Sequence, residues 1–146
     1  EHLMMDLRFN ILNEYVHKFI VCESTFSHSG KKKKLNFDIN NYPKFKDKIS
    51  YIVIDEEPDG IIGYKNGLAE PYEKRKDSLK RINLSYDYMI KAISEASDND
   101  LIILSDNDEI PNLNSKQFKN SKKDIIIFKQ LFVVARRCDQ GEKKGA

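Results

Sequence analysis

Tryptophan is absent from this 146-residue chain, and only two cysteines and three histidines occur. With 33% of residues charged, the lack of Trp points to a highly solvated surface. Cys22 lies in an apolar run and Cys138 in a polar tail, which makes no disulfide framework and fits a reducing, cytoplasmic compartment. His2, His17 and His28 lack the paired spacing of a zinc site. None stands beside a Ser or Cys nucleophile with an orienting acid, so no chemistry falls to them. A charge excess is missing too: 25 Lys plus Arg stand against 23 Asp plus Glu, a net +2 that excludes a general nucleic-acid binder with a strong basic field. No run approaches the roughly eighteen apolar residues of a membrane span. The N-terminus also lacks the basic-then-apolar build of a signal peptide. The chain opens at Glu1 in apolar, helix-like sequence without an initiating Met, as expected of a fragment with an element upstream.

What is present suffices for one core: 40% hydrophobic residues, with seven Tyr and eight Phe. Residues 3–16 carry Met4, Leu7, Ile11 and Tyr15 on one helical stripe and Met5, Phe9, Leu12 and Val16 on the next, predicting a helix buried on a broad face. Phe19-Ile20-Val21-Cys22 reads as an interior strand covered on both sides. A loop with four consecutive lysines, residues 31–34, follows. Residues 49–54 (ISYIVI) form a second strand ending at Asp55-Glu56-Glu57, and Pro58, Gly60, Gly63 and Gly67 mark a surface excursion. Leu79, Ile82, Tyr86, Met89, Ile90, Ile93 and Ala96 give a helix over residues 78–96. Leu101-Ile102-Ile103-Leu104 is expected to be a third, buried strand, and residues 125–128 with 131–134 a fourth strand or strand pair. Strands alternating with helices predict an α/β fold with a mostly parallel sheet flanked by helices. Its expected extent is residues 1–134, with 135–146 a disordered polar tail.

Ligands of open α/β sheets gather beyond the carboxyl ends of strands, where Ser105-Asp106-Asn107-Asp108-Glu109 stands. Two aspartates one residue apart can both reach a site once the backbone leaves strict alternation. Their oxygens suit Mg²⁺ or Mn²⁺, which use one or two carboxylates and take further oxygens from a phosphate. An Asp-rich turn that merely ends a strand is the ordinary alternative. An EF-hand is excluded, since loop positions 5 and 6 fall on Ile110 and Pro111. A phosphate loop at Gly30-Lys31 fails as well, because Thr25 stands where its first Gly belongs.

The string LIILSDNDEIP, together with FIVCESTFSHSGKKKKLNF, PKFKDKISYIVID and the helix holding SLKR, resembles the family 17 glycosyltransferases over about residues 3–130. These include the β-1,4-mannosyl-glycoprotein N-acetylglucosaminyltransferases. The resemblance implies a GT-A-like (Rossmann-like) fold, a UDP-sugar donor, UDP-GlcNAc above all, and a Mn²⁺ or Mg²⁺ requirement. It carries the family's D-x-D onto Asp106 and Asp108, its Glu-Ser pair onto Glu23 and Ser24, and its basic helix residue onto Arg81. Family members begin with a further strand and continue into acceptor-side sequence, so the resemblance also implies truncation at both ends.

The expected activity is transfer of a sugar, GlcNAc by resemblance, to a glycan or lipopolysaccharide-type acceptor. Asp108 ligates the metal and Asp106 assists it or contacts the ribose, while Glu23 or Glu109 serves as base for an inverting reaction. A truncated, non-catalytic nucleotide-sugar-binding or structural module is the competing expectation. Glu23 pairing with a nearby lysine, and Arg81 engaged in a local salt bridge rather than a phosphate fork, remain open beside their ligand-binding roles.

Overall fold

The computed structural model describes residues 2–63, 71–123 and 125–128. They fall into two compact units divided after Ile110. The first holds helix α1 (His2–Leu12), strands β1 (Phe19–Ser24) and β2 (Ile49–Ile54), and helix α2 (Pro71–Ala92). The second contains the short helix α3 (Lys116–Lys119), whose N-terminus is capped by Ser115 Oγ accepting from the Phe118 amide. In that unit the rings of Phe118 and Phe128 lie 5.4 Å apart.

β1 and β2 pair in parallel, Phe19 opposite Ile49 through Ser24 opposite Ile54, so both carboxyl ends open on one edge. Strand alternation then sorts the side chains by face. Phe19 meets Phe9 of α1 on one side, ring centroids 4.8 Å apart. Cys22, one pleat out of phase, donates from Sγ to the Ser85 carbonyl of α2 on the other. The result is a small α/β unit in which α1 and α2 cover opposite faces of a two-stranded sheet.

The core under α1 is aromatic. Phe9 packs against Tyr42 (5.1 Å) and Phe45 (5.6 Å), and Phe37 stacks on Tyr42 at 5.3 Å and leans on Tyr51 at 4.9 Å. Each such pair adds about 0.5–1.5 kcal/mol beyond the area it buries. Tyr42, Phe45 and Phe37 belong to the crossover between the strands, which contains the 3-10 turns Ile39–Asn41 and Pro43–Lys48. The crossover is thus packed down by its own rings.

Several expectations need correction. α1 ends at Leu12 rather than residue 16. The Lys48 ammonium takes the carbonyls of Asn13 and Val16, satisfying acceptors at that end of the helix. Only the Phe9–Leu12 stripe is buried; Leu7, Ile11 and Tyr15 are exposed. In β1 only Phe19 is fully buried, so the strand is not covered throughout on both sides. α2 starts at Pro71, where proline's fixed φ suits a first helical position, and ends at Ala92. The expected third strand is not formed. Residues 101–104 have no regular structure, and Leu101, Ile102 and Leu104 are 54%, 49% and 63% exposed. An apolar run becomes a strand only where a neighbour supplies its ladder, and among the described residues the sheet has two strands. Residues 125–128 are likewise not a strand, with Ile125 and Ile127 exposed. Residues 131–134, the tail 135–146, Gly67 and Cys138 lie outside the described residues. No helix among the described residues is long and apolar enough to cross a membrane.

Candidate functional site

Parallel pairing brings Glu23 and Ser24 at the end of β1 beside Asp55, Glu56 and Glu57 after β2. Each of these four carboxylates has a partner. Glu23 accepts from Lys33 Nζ at 2.5 Å, from the amides of Asn36 (2.9 Å) and Phe37 (3.0 Å), and from Tyr51 Oη (3.1 Å). Asp55 accepts from Thr25 Oγ1 at 2.7 Å, Glu56 from Tyr88 Oη at 2.7 Å, and Glu57 from Arg81.

Glu23 is the polar rim of the aromatic core. Burial pushes its carboxyl up, but Lys33 and the two amides outweigh that and hold it below the usual carboxylate range. Tyr51, half-buried and donating to a carboxylate, is pushed up to about 12 by desolvation first and by Glu23 second. The sequence placed Glu23 at a strand end; it gave no sign of Tyr51, a partner that follows only from the strand register. Ser24 Oγ accepts from the Phe26 amide at 3.0 Å and tightens the turn out of β1.

Arg81 projects from α2 into the same edge. Its Nε and Nη2 form a two-pronged contact with Glu57 at 2.7 and 3.0 Å, and Nη1 donates to the His28 carbonyl at 3.1 Å. The side chain is only 9% exposed. Gly30 lies against it with φ of +83°, and a Cβ there would stand 2.4 Å from Nη2. The guanidinium therefore ties together the loops after both strands. Four residues earlier on α2, Asp77 accepts from the amides of Ile62 and Gly63 at 3.1 and 3.0 Å. Those amides, the Gly63 bond foremost, hold its carboxyl below the ordinary range. Asp77 is the buried residue of α2, and the sequence signal for it was faint: an acid just before the helix's apolar periodicity begins.

Asp106, Asp108 and Glu109 form a second, separate cluster. The Glu109 amide donates to the Asp106 carbonyl at 3.1 Å, and the Asp106 amide to Glu109 Oε2 at 3.2 Å, closing a tight turn. From α1, Arg8 donates to Ser105 Oγ (2.6 Å), the Asp106 carbonyl (3.0 Å) and the Glu109 carbonyl (2.7 Å). Burial lowers the Arg8 guanidinium from its ordinary value, with Glu109 raising it in part, and it stays charged. Among the described residues no hydrogen bond or ion pair links this turn to Glu23, Ser24 or Arg81.

The carboxylates of Asp106 and Asp108 are exposed and accept no hydrogen bond among the described residues. Nor do three or more His, Cys, Asp or Glu converge there into a metal cage. The donor chemistry fits a hard divalent ion of the kind that keeps several waters and takes one or two carboxylates plus phosphate oxygens. It does not fit a closed structural metal site.

The model of glycosyltransferase family 17 matches residues 1–126. The human beta-1,4-mannosyl-glycoprotein 4-beta-N-acetylglucosaminyltransferase is 30% identical over 117 residues, covering 74% of this chain and 19% of that protein. The rat protein of the same name matches to the same extent. The chain thus spans 19% of the length of these curated relatives. No solved structure matches it. Since the family match runs through α1, both strands, α2 and the Asp106 turn, the chain belongs to glycosyltransferase family 17.

Proposed function

We propose that this chain forms the donor-nucleotide part of a GT-A-type glycosyltransferase, which moves a sugar, GlcNAc in this reading, from a UDP-sugar to a hydroxyl of a glycan or lipopolysaccharide-type acceptor. The supporting observation is a pair of uncommitted carboxylates, Asp106 and Asp108, on a clamped turn inside the family match. Asp108 holds Mn²⁺ or Mg²⁺, and Asp106 assists it or meets the ribose. The bound ion supplies neutralisation of charge on the departing diphosphate.

The remaining work falls to the chain's own groups. Arg81 and Ser24 border the strand edge where the diphosphate lies, Arg81 fixing the height of the loop at 28–30 through the His28 carbonyl. Two carboxylates compete as the base for the acceptor hydroxyl. Glu23 must first release Lys33, an amide or Tyr51, and its proton affinity lies below the ordinary carboxylate range, which disfavours it as a base. Glu109 is exposed and holds a single amide, so it is the less costly of the two to recruit.

Titration calorimetry of UDP with and without Mn²⁺ tests this reading. Asp108→Ala is expected to lower the Mn²⁺-dependent affinity by about tenfold or more, a loss of about 1.4 kcal/mol. Unchanged affinity in that variant rejects the assignment. Metal-dependent UDP binding without acceptor-dependent UDP release identifies a non-catalytic donor-binding module instead.

A further inference from the structure

The turn carrying Asp106 and Asp108 is anchored from the far end of the sequence. Residues 105–109 follow a segment without regular structure, so no strand ladder holds them in place. Arg8 does so instead, with three donors on three acceptors: Ser105 Oγ at 2.6 Å and the carbonyls of Asp106 and Glu109 at 3.0 and 2.7 Å. A planar guanidinium reaches acceptors in such a spread, whereas an ammonium is a single point. All three bonds go to hydroxyl or carbonyl oxygen and none to a carboxylate. Arg8 therefore fixes the backbone while leaving the Asp106 and Asp108 oxygens free.

We propose that Arg8 is the positioning residue of the Asp106 and Asp108 ion site, holding the turn in the form in which both carboxylates face one divalent ion. This rests on the assignment of those two aspartates as metal ligands. Charge and geometry act in opposite directions here, which makes the role measurable. A cation near a cation site opposes ion binding by Coulomb repulsion, so removing it should help the ion if charge alone mattered. Removing the anchor should harm the ion if geometry matters.

The measurement is Mn²⁺-dependent UDP affinity by calorimetry, with the Mn²⁺ electron paramagnetic resonance spectrum as a second readout, on wild type, Arg8→Ala, Arg8→Lys, Ser105→Ala and Asp108→Ala. Arg8→Ala is expected to lose about tenfold or more, equal to about 1.4 kcal/mol. Its metal-independent UDP affinity should be unchanged, and amide exchange at Asp106 and Glu109 faster. Arg8→Lys, which keeps the charge, should recover only part of the loss, and Ser105→Ala, which removes one anchor of three, should lose less than Arg8→Ala. Should Arg8→Ala fail to fold, Arg8→Lys and Ser105→Ala decide on the same scale. Equal or tighter ion binding in the Arg8 variants, with Asp108→Ala still defective, overturns the role of Arg8 alone. A wild-type chain with no Mn²⁺ dependence overturns the ligand assignment, and the Arg8 proposal falls with it.

Discussion

Replacing Gly30 by alanine places a Cβ 2.4 Å from Nη2 and 2.8 Å from Cζ of Arg81, at a φ of +83°. Two costs arise, and they can be separated. An L-residue in that backbone region is strained by about 1–2 kcal/mol. The clash is relieved only if the guanidinium moves, which breaks its two contacts with Glu57 and the one with His28. A hydrogen bond to a charged group contributes about 1.5–3 kcal/mol. Glu57 is 31% exposed, so solvent screening reduces the pair to about 1–2 kcal/mol. The expected destabilisation is then about 2–4 kcal/mol, a large share of the roughly 5–15 kcal/mol of an ordinary domain. Urea denaturation followed by circular dichroism measures it, and a double-mutant cycle divides it. In an Arg81→Ala background the clash is gone, and Gly30→Ala should cost only the backbone strain, leaving a coupling of about 1–2 kcal/mol. Equal costs in both backgrounds, or a single-mutant cost below about 0.5 kcal/mol, would refute the close approach of Arg81 to Gly30 as the cause.

Glu23→Ala leaves the amides of Asn36 and Phe37 and the Lys33 ammonium without their acceptor, at an expected cost of about 2–3 kcal/mol in urea denaturation. Because the native Glu23 carboxyl sits below its ordinary value, its contribution is present above that value and lost as pH falls through the native one. Glu23→Gln should therefore flatten that acid limb, and an unchanged limb counts against the network. Tyr51 has the opposite sign: raised to about 12, it contributes below the ordinary tyrosine value of 10.0 and loses that contribution as pH rises through about 12. The difference in phenolate absorbance between wild type and Tyr51→Phe should isolate a late-titrating tyrosine, and a difference centred on the ordinary value would break the Tyr51–Glu23 link.

How much of this was legible in the sequence depends on whether the deciding interaction is local. β2 was readable to its ends because an apolar run is bounded by Lys48 on one side and three acids on the other. At Asp106 the sequence offers a turn only as the alternative to a strand-end site, although the bonds that close the turn span three residues. The third strand was misread because hydrophobicity reports a wish for burial, not the presence of a pairing partner, and Leu101, Ile102 and Leu104 are exposed. The first two turns of α2 were missed since Tyr72, Lys74, Arg75 and Lys76 carry no apolar stripe; Pro71 was the overlooked cue. Arg8 could not be foreseen at all. Its partners lie 97 to 101 residues away, and one basic residue on a predicted helix looks like any other.

The same division separates scaffold from chemistry. At the strand edge, Glu23, Asp55, Glu56 and Glu57 have all been answered by groups of the chain itself, so this surface offers a ligand charges that are already paired. At the Asp106 turn the fixed bonds involve Arg8, the backbone, Ser105 and Glu109, and the carboxylate oxygens of Asp106 and Asp108 accept none of them. A preorganised ion site needs that combination, since ligands pinned by their own hydrogen bonds must break them to bind, whereas a pinned backbone with free side chains does not. The strand-edge acids and Arg81 are thus understood as holding the loops in register, and the carboxylates of Asp106 and Asp108, which accept no hydrogen bond among the described residues, are the ones the proposed ion site would use.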